Sequence, residues 1–440
     1  MEKQVLTKVK ESYFMAVAVL MYYFLNEYID IGLYVTYRHA FALILFGSAF
    51  LLFLYKPDIA VGLTAFREAC VYSLPLLVTT VVSLFIWFMG MADVGVISRG
   101  LSSSFVYMNM LSFALGAGAL LYVFGGRAIW YNLAAILCAN LLMIVTIISQ
   151  NGLGNYLSEF VTLVTTFADV TGDIIVKAEI HELAFCLGAY LIYMLYKPKK
   201  SASYLILLLL TVFCFLSAFK RIAMVAVAAA LIFGYLLKFV ARCSKSAACM
   251  AAAVLTSVVI CLLLGYVALI KHNVFELLES SGINTNGRAG MYNAVDRFYE
   301  FAPDFLGHGI GFLTYQLNTF MHIGVASIHN DFLQHYIDLG FFGYIIWLIS
   351  ITLVRVLYFG KRGNADNAIV AFMLTLYLVI VSSTDNTMNY PLLTGVLAML
   401  MMGNGFDEKV RDCEYKMFGY ISKEHREKGG NYRYENFDGQ

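Results

Sequence analysis

Apolar runs long enough to cross a bilayer recur along the whole chain, and they leave few folds open to it. A hydrocarbon core roughly 30 Å thick is spanned by about 20 residues of α-helix, whose backbone hydrogen bonds stay inside the segment. Of the 440 residues, 60% are hydrophobic and 13% are charged. Twelve runs bounded by charge, Gly or Pro cover approximately residues 12–28, 40–55, 71–91, 103–123, 128–149, 180–196, 203–219, 222–238, 247–270, 339–359, 366–384 and 390–405. The pattern predicts an all-α polytopic membrane protein with about 12 transmembrane helices.

The distribution of Lys and Arg predicts the side of the membrane that each loop occupies, because cytoplasmic loops carry the excess of these cations. With the N-terminus inside, 22 of the 30 Lys and Arg residues fall on the inner side and 8 on the outer side. Without the residues after 405, the count is still 15 against 8. Both termini are therefore predicted to be cytoplasmic.

One outer loop is much longer than most others and too apolar and aromatic for a free linker. Four of its apolar residues recur at helical spacing and predict an amphipathic helix at the membrane interface. They are Met291, Val295, Phe298 and Ala302. The predicted division is helices 1–9 in residues 1–270, the large extracytoplasmic loop in 271–338, helices 10–12 in 339–405 and a disordered cytoplasmic tail in 406–440.

Lys220 and Arg221 stand side by side in a tight turn between two apolar runs, on the predicted outer side, where cations are scarce. Long basic side chains can reach lipid phosphates from such a position, and this is one interpretation. The other is an anionic ligand at the outer interface of the membrane.

Arg288 lies in the sequence NTNGRAGMY at the start of the predicted amphipathic helix. Asn286 could cap that helix, and a helix N-terminus beside an arginine favours anions, because the guanidinium offers two parallel hydrogen bonds to phosphate oxygens. An ordinary surface residue is the alternative. Arg221 and Arg288 together would suit a pyrophosphate, and Arg297, on the polar side of the same helix, is a further candidate for substrate binding.

Seven of the eight histidines fall on or near the predicted outer side, and five of them lie between residues 272 and 335. Their spacings match no zinc pattern, and the eight cysteines lie in apolar runs or predicted cytoplasmic segments. Neither a metal site nor a disulfide framework is therefore expected. Solvated loop residues are the simplest interpretation of most of these histidines, and His329 differs because of its neighbours.

Residues 305–312, FLGHGIGF, place Gly307, Gly309 and Gly311 at a period of two. Without a preceding βαβ unit, this pattern is too weak to indicate a nucleotide site. Glycines at this spacing allow tight turns or a close approach of the backbone to a ligand. Downstream, the residues from Asp331 to Leu339 predict a short helix that ends at Gly340.

The segments PDFLGHGIGFLTYQ and IHNDFLQHYIDLGFFGYIIWL resemble the large-loop signature of the bacterial O-antigen ligase and O-antigen polymerase superfamily. The matching positions are Pro303, Gly307 and Gly309, then His329, Asn330 and Leu333, then Gly340 and Gly343. Arg288 resembles the loop arginine of the family, and Arg221 the arginine on its outer-face turn. The motifs cover about residues 282–350. The chain departs from the pattern in having Lys220 before the arginine and no Trp soon after Arg288.

The resemblance implies a GT-C-like membrane glycosyltransferase of the bacterial cytoplasmic membrane, with its active site on the extracytoplasmic side. Its donor would be an undecaprenyl-pyrophosphate-linked oligosaccharide. It would contact membrane lipids and could act together with a flippase and a chain-length regulator, and no nucleic acid is expected as a partner. A polymerase is the preferred interpretation. The alternatives are a ligase that transfers the finished glycan to a lipid or protein, and a transporter or flippase of the lipid-linked oligosaccharide.

The resemblance also assigns roles to residues. Arg221 and Arg288 would stabilise the leaving pyrophosphate, with Lys220 assisting, and His329 would be either a general base or a phosphate donor. Asn330 would orient His329, while the acids Asp296, Glu300 and Asp331 are weaker candidates for the base. Substrate-binding residues would be Lys220, Asn330, Gly307, Gly309 and Arg297. No cofactor and no metal are expected.

Overall fold

The computed structural model describes residues 2–23, 36–90, 94–166, 181–218, 220–282, 285, 287–317, 319, 328–360 and 364–415. In this part of the chain 87% of the residues are helical and there is no β-strand, as the all-α prediction requires. The helices are α1 (Glu2–Tyr23), α2 (Thr36–Tyr55), α3 (Ile59–Tyr72), α4 (Leu74–Phe88), α5 (Val94–Phe124), α6 (Ala128–Asn151), α7 (Leu153–Thr166), α8 (His181–Tyr196), α9 (Ala202–Ser217), α10 (Arg221–Cys243), α11 (Lys245–Lys271), α12 (Val274–Ser280), α13 (Arg288–Val295), α14 (Phe312–Gln316), α15 (Asp331–Ile349), α16 (Arg355–Gly360), α17 (Ala365–Ser382) and α18 (Pro391–Gly403).

Local sequence signals start several of these helices. The side chains of Ser201, Ser244 and Asn330 each accept a hydrogen bond from the backbone N–H three residues ahead, at the beginnings of α9, α11 and α15. Such caps satisfy backbone donors that have no partner inside the helix. The helix boundaries at these places therefore follow from single polar residues that precede apolar runs.

Each of the twelve apolar runs predicted to span the membrane overlaps a helix of the structure. By length and composition, five helical segments of the described chain are able to cross a membrane, or six if the bent pair α3 and α4 is one span. Four shorter apolar helices accompany them. The protein is an all-α polytopic membrane protein, and twelve as the number of spans stays a prediction.

The helices differ in how much of their apolar surface the protein covers. In the most apolar stretch of α17, 89% of the residues are buried, whereas the value for α11 is 28%. Helix α17 packs against α8, α10, α11 and α16, and α18 packs against α5 and α8. Helix α17 is therefore at the centre of the bundle, and α11 leaves most of its surface for lipid.

The amphipathic helix predicted to run through Ala302 ends earlier in the structure. Helix α13 stops at Val295, a short 3-10 turn follows, and Tyr299 is extended (φ −149°, ψ 156°). Lys271 accounts for this end, because its ammonium donates hydrogen bonds to the carbonyl oxygens of Asp296 (3.0 Å) and Tyr299 (2.8 Å).

The helix that begins at Asp331 does not stop at Gly340. Gly340 is non-helical (φ 70°, ψ −179°), and the helix resumes after this kink and reaches Ile349. The tail prediction is wrong for its first part, because residues 406–415 are helical, with Phe406 and Lys409 buried. Residues 416–440 lie outside the described residues.

Candidate functional site

Three segments that are distant in sequence meet at one end of the bundle. They are the start of α15 with His329, the turn between α17 and α18, and the start of α13 with Arg288. The His329 imidazole lies 3.5 Å from the Asp385 carboxylate, and the Arg288 guanidinium donates a hydrogen bond to the Thr384 carbonyl oxygen (2.8 Å). The 384–385 turn thus holds both sequence-predicted residues.

His329 has a positive φ of 50°, a backbone conformation that residues other than glycine rarely adopt. Such strain persists only where the surroundings determine it, and it is common at functional sites. The side chain of His329 is 46% exposed, and that of Asp385 is 14% exposed. Nδ1 of His329 faces the Asp385 carboxylate and also lies 3.5 Å from Nδ2 of Asn386. A neutral imidazole that donates its Nδ1 proton to the carboxylate would have a lone pair on Nε2.

Asp385 is the residue that the sequence analysis missed. Its Oδ1 accepts hydrogen bonds from the Asn386 backbone N–H (2.8 Å) and the Tyr390 hydroxyl (3.1 Å). Burial alone would raise the pKa of Asp385, but the hydrogen bonds from His329 and Asn386 and the charge of Lys220 outweigh it and hold the pKa below its usual value. Asp385 is therefore an ionised partner for an imidazolium. Its only sequence signal is a polar stretch, SSTDNTMNY, between the last two apolar runs.

Lys220 occupies the N-cap position of α10 in an extended conformation, and Arg221 is the first, exposed residue of that helix. The charge of Lys220 acts on Asp385, which connects the start of α10 to the site. Lys220, unexplained by the family pattern, is thus an electrostatic neighbour of the His329–Asp385 pair. For Arg221, the phosphate contact stays a prediction.

Arg288 begins α13 directly after Gly287, whose positive φ of 76° turns the chain into the helix. Its charge acts on the hydroxyls of Tyr266 and Tyr292. Burial raises the pKa of the Tyr292 hydroxyl, and Arg288 opposes this shift. Asn286, predicted to cap the helix, lies outside the described residues.

Asn330 lies behind the site rather than in it. Its side chain is fully buried; Oδ1 caps α15, and Nδ2 donates to the hydroxyls of Tyr266 and Tyr292, each at 3.2 Å. These contacts tie α11, α13 and α15 together and fix the residue next to His329. The placement supports a positioning role and gives no support to direct contact with substrate.

The three acids that were the weaker candidates for the base have structural partners. Asp296 and Glu300 lie 3.1 Å and 3.7 Å from the Lys271 ammonium. Asp331 is buried, and its Oδ2 accepts a hydrogen bond from the Met388 backbone N–H (2.8 Å), which anchors the 383–390 turn. Arg297 is exposed and stacks over the Phe298 ring at 4.8 Å, so its predicted substrate contact gains no support either.

Gly307 and Gly309 approach the protein itself closely. A Cβ at Gly307 would lie 2.3 Å from the backbone N of Gly340, and one at Gly309 would lie 2.2 Å from the Trp87 indole nitrogen. Both have φ above 80°, and the Gly309 N–H donates to the Asp338 carbonyl oxygen (2.7 Å). The glycine turn therefore locks against the kink of α15, and substrate binding by these glycines stays a prediction.

The fold and the site define a class: a helical membrane protein that carries a polar histidine, aspartate and arginine cluster where helix ends meet at one end of the bundle. Residues 205–348 match the family model described as O-antigen ligase. This match supports the resemblance to the O-antigen ligase and polymerase superfamily and, in general terms, a glycosyltransferase-like or ligase activity. No curated protein matches the chain. The matched segment contains Arg221, Arg288 and His329, while Asp385 lies beyond it.

Proposed function

We propose that this protein is a polysaccharide polymerase that transfers a glycan from undecaprenyl pyrophosphate to the end of another lipid-linked repeat unit. The reaction would take place at the outer face of the bacterial cytoplasmic membrane. The observation that carries the proposal is the His329–Asp385 pair, which stands beside the turn that also binds Arg288.

The reaction needs a base for the attacking hydroxyl. In the proposed step, Nε2 of His329 takes the proton of the acceptor hydroxyl while the hydroxyl oxygen forms a bond to the anomeric carbon of the donor. The bond from that carbon to the pyrophosphate oxygen breaks, and the electron pair leaves with undecaprenyl pyrophosphate. Asp385 would stabilise the imidazolium that forms, which favours general base over phosphate donor for His329.

The leaving pyrophosphate gathers negative charge as the bond breaks, so fixed cations near it stabilise the transition state. Arg288 is suited to this because its guanidinium is held by Thr384 and retains further N–H donors. Arg221 and Lys220 would contribute from the start of α10. A single fixed donor of this kind accounts for roughly 3–4 kcal/mol of barrier lowering in other enzymes.

The test is the formation of polymer in cells that lack their own enzyme and express the Arg221→Ala, Arg288→Ala or His329→Ala variant at equal protein level. Each variant is expected to lose the ladder of chain lengths. His272→Ala is the matched control, because His272 is an exposed histidine at the end of α11 and outside the cluster. Ladders of normal length from all three site variants would refute the assignment.

A ligase is the second candidate, since the matching family model is described as O-antigen ligase. The same residues would serve it, because the donor chemistry is unchanged. Product analysis separates the two: a polymerase lengthens lipid-linked repeats, whereas a ligase moves a chain of unchanged length to a different acceptor. Transfer without lengthening would overturn the polymerase proposal and leave the site assignment in place.

A further inference from the structure

A cavity of about 460 Å³ lies at the end of the bundle opposite His329. Helix α17 begins at the cavity with Asn364 and Asn367 and ends at Ser382, beside the 383–390 turn. Its 18 residues cover about 27 Å at the rise of an α-helix. The cavity is therefore separate from the candidate active site, and its volume is that of a small-molecule pocket.

Four basic side chains from three different segments line this cavity. They are Arg127, Lys197, Lys199 and Arg411. Lys199 lies 4.5 Å from the centre of the Trp130 ring, and Arg127 lies 5.3 Å from that of Tyr131. An aromatic ring under a cation restricts the long side chain before any ligand arrives, which reduces the entropy lost on binding.

Lys197 forms part of the cavity wall and is half-buried. Its ammonium donates a hydrogen bond to Oδ1 of Asn404 (2.6 Å), and Nδ2 of Asn404 donates to Oδ1 of Asn367 (3.0 Å). The Lys197 ammonium has three N–H donors. In the described part of the chain, one of them binds the side-chain oxygen of Asn404. Two donors at the wall are thus available to an acceptor inside the cavity.

The lining is not uniformly positive. Asp407 and Glu408 also reach the cavity, and Oδ1 of Asp407 accepts a hydrogen bond from the Gly126 backbone N–H (2.8 Å). Burial lowers the pKa of Lys197, and the charges of Asp366 and Glu408 oppose that shift. Four cations against two lining acids suit a ligand with one phosphate better than a polyanion.

We propose that this cavity binds the phosphate of a headgroup, with Lys197 and Lys199 as the main contacts and Arg127 and Arg411 at the rim. The count of cations predicts this end of the bundle to be cytoplasmic, and an anionic phospholipid of that leaflet carries its phosphate at the level of the helix ends. A soluble phosphate ester presents the same group. The site is independent of the proposed transfer reaction.

The test uses the full-length protein in phosphatidylcholine nanodiscs, with phosphatidylglycerol added in one arm and glycerol phosphate or inorganic phosphate in the other. Binding is measured by the rise of the thermal unfolding midpoint with ligand concentration. Lys197→Gln keeps an N–H donor for Asn404 and removes the charge, and Lys199→Ala changes an exposed residue. Each variant is expected to weaken binding by about tenfold or more, because hydrogen bonds from charged groups are the stronger ones.

The matched control is the double variant Arg242→Ala, Lys245→Ala, which removes two exposed cations at the same end of the bundle but outside the cavity. It is expected to bind as the wild type does. A shift with phosphatidylglycerol alone identifies a lipid headgroup, and an equal shift with glycerol phosphate identifies a soluble ester. The proposal is overturned if neither ligand binds, if both lysine variants bind like the wild type, or if the control loses as much affinity.

Discussion

Asp385 orients the imidazole of His329. The effect of its charge on activity can be measured separately from the effect of its shape. In Asp385→Asn the side chain keeps its shape but loses the charge that stabilises an imidazolium. If His329 is a general base, we expect the transfer rate to fall by about 10² to 10⁴-fold. The measurement is the initial rate of chain extension with purified lipid-linked substrate. An unchanged rate at equal protein level would show that His329 acts without this carboxylate.

The depressed pKa of Asp385 also predicts a stability effect with a definite sign. A carboxyl whose pKa is lower in the folded protein stabilises the fold above its unfolded pKa, about 3.9, and loses this contribution as pH falls through the folded value. The thermal midpoint of the wild type should therefore fall more steeply than that of Asp385→Asn as pH drops below about 4. Parallel midpoint curves for the two proteins would contradict a lowered pKa of Asp385 in the folded protein.

A substitution at Gly309 tests whether the glycine turn needs its close packing against Trp87. Alanine there would place a methyl group within 2.2 Å of the Trp87 nitrogen at a φ of 84°, so we expect Gly309→Ala to lower the unfolding midpoint strongly. Gly290 is the control, because nothing lies within 4 Å of its Cβ position inside α13. Gly290→Ala should stabilise the helix by up to about 1 kcal/mol. Equal midpoints for the two variants would argue against the packing role.

At the level of elements, a single apolar run can hide a break. Residues 71–91 read as one span, but the structure bends by 49° between α3 and α4. Pro75, in the first turn of α4, was the visible signal for this break, since a proline cannot supply a backbone N–H. The residue that binds the backbone at this bend is Arg355, which is distant in sequence. Neither the periodicity nor the composition of the sequence predicts that contact.

Arg355, at the start of α16, stabilises the bend between α3 and α4 by contacts with Tyr72. It is buried, its guanidinium donates to the Tyr72 carbonyl oxygen (2.8 Å), and it lies 3.9 Å from the centre of the Tyr72 ring. Arg355→Lys retains the charge but loses the planar stacking, so we expect about 1–3 kcal/mol of destabilisation. The measurement is the unfolding midpoint, with Arg411→Lys, an exposed position, as the control. An unchanged midpoint for Arg355→Lys would show that the Arg355 guanidinium does not stabilise the bend between α3 and α4.

Across the whole molecule, the sequence predicted the helical class because bilayer length and hydropathy determine it. It also identified His329 and Arg288, whose motifs are local, and it missed Asp385. Asp385 lies in the turn that connects the last two apolar runs. This turn contacts the start of α15 only because the helices pack together in three dimensions, and no local sequence pattern reports that contact. The same reason explains the misjudged tail, since residues 406–415 are ordered by contacts that reach far back along the chain.

Those contacts centre on a buried pair that joins α3 to the C-terminal helical segment. The Lys409 ammonium lies 2.7 Å from the Glu68 carboxylate, with exposures of 3% and 1%, and the Tyr358 hydroxyl also donates to Glu68 (3.1 Å). Removing Glu68 leaves the buried Lys409 ammonium without that carboxylate, so Glu68→Gln should destabilise the protein by about 3–5 kcal/mol. Lys409→Met should cost less, because the Arg67 guanidinium still lies 3.1 Å from the Glu68 carboxylate. The double variant should recover much of this loss, because neither charge is then left alone. A double-mutant cycle of unfolding free energies measures the coupling, and strictly additive losses would show that the pair does not hold the C-terminal helical segment to α3.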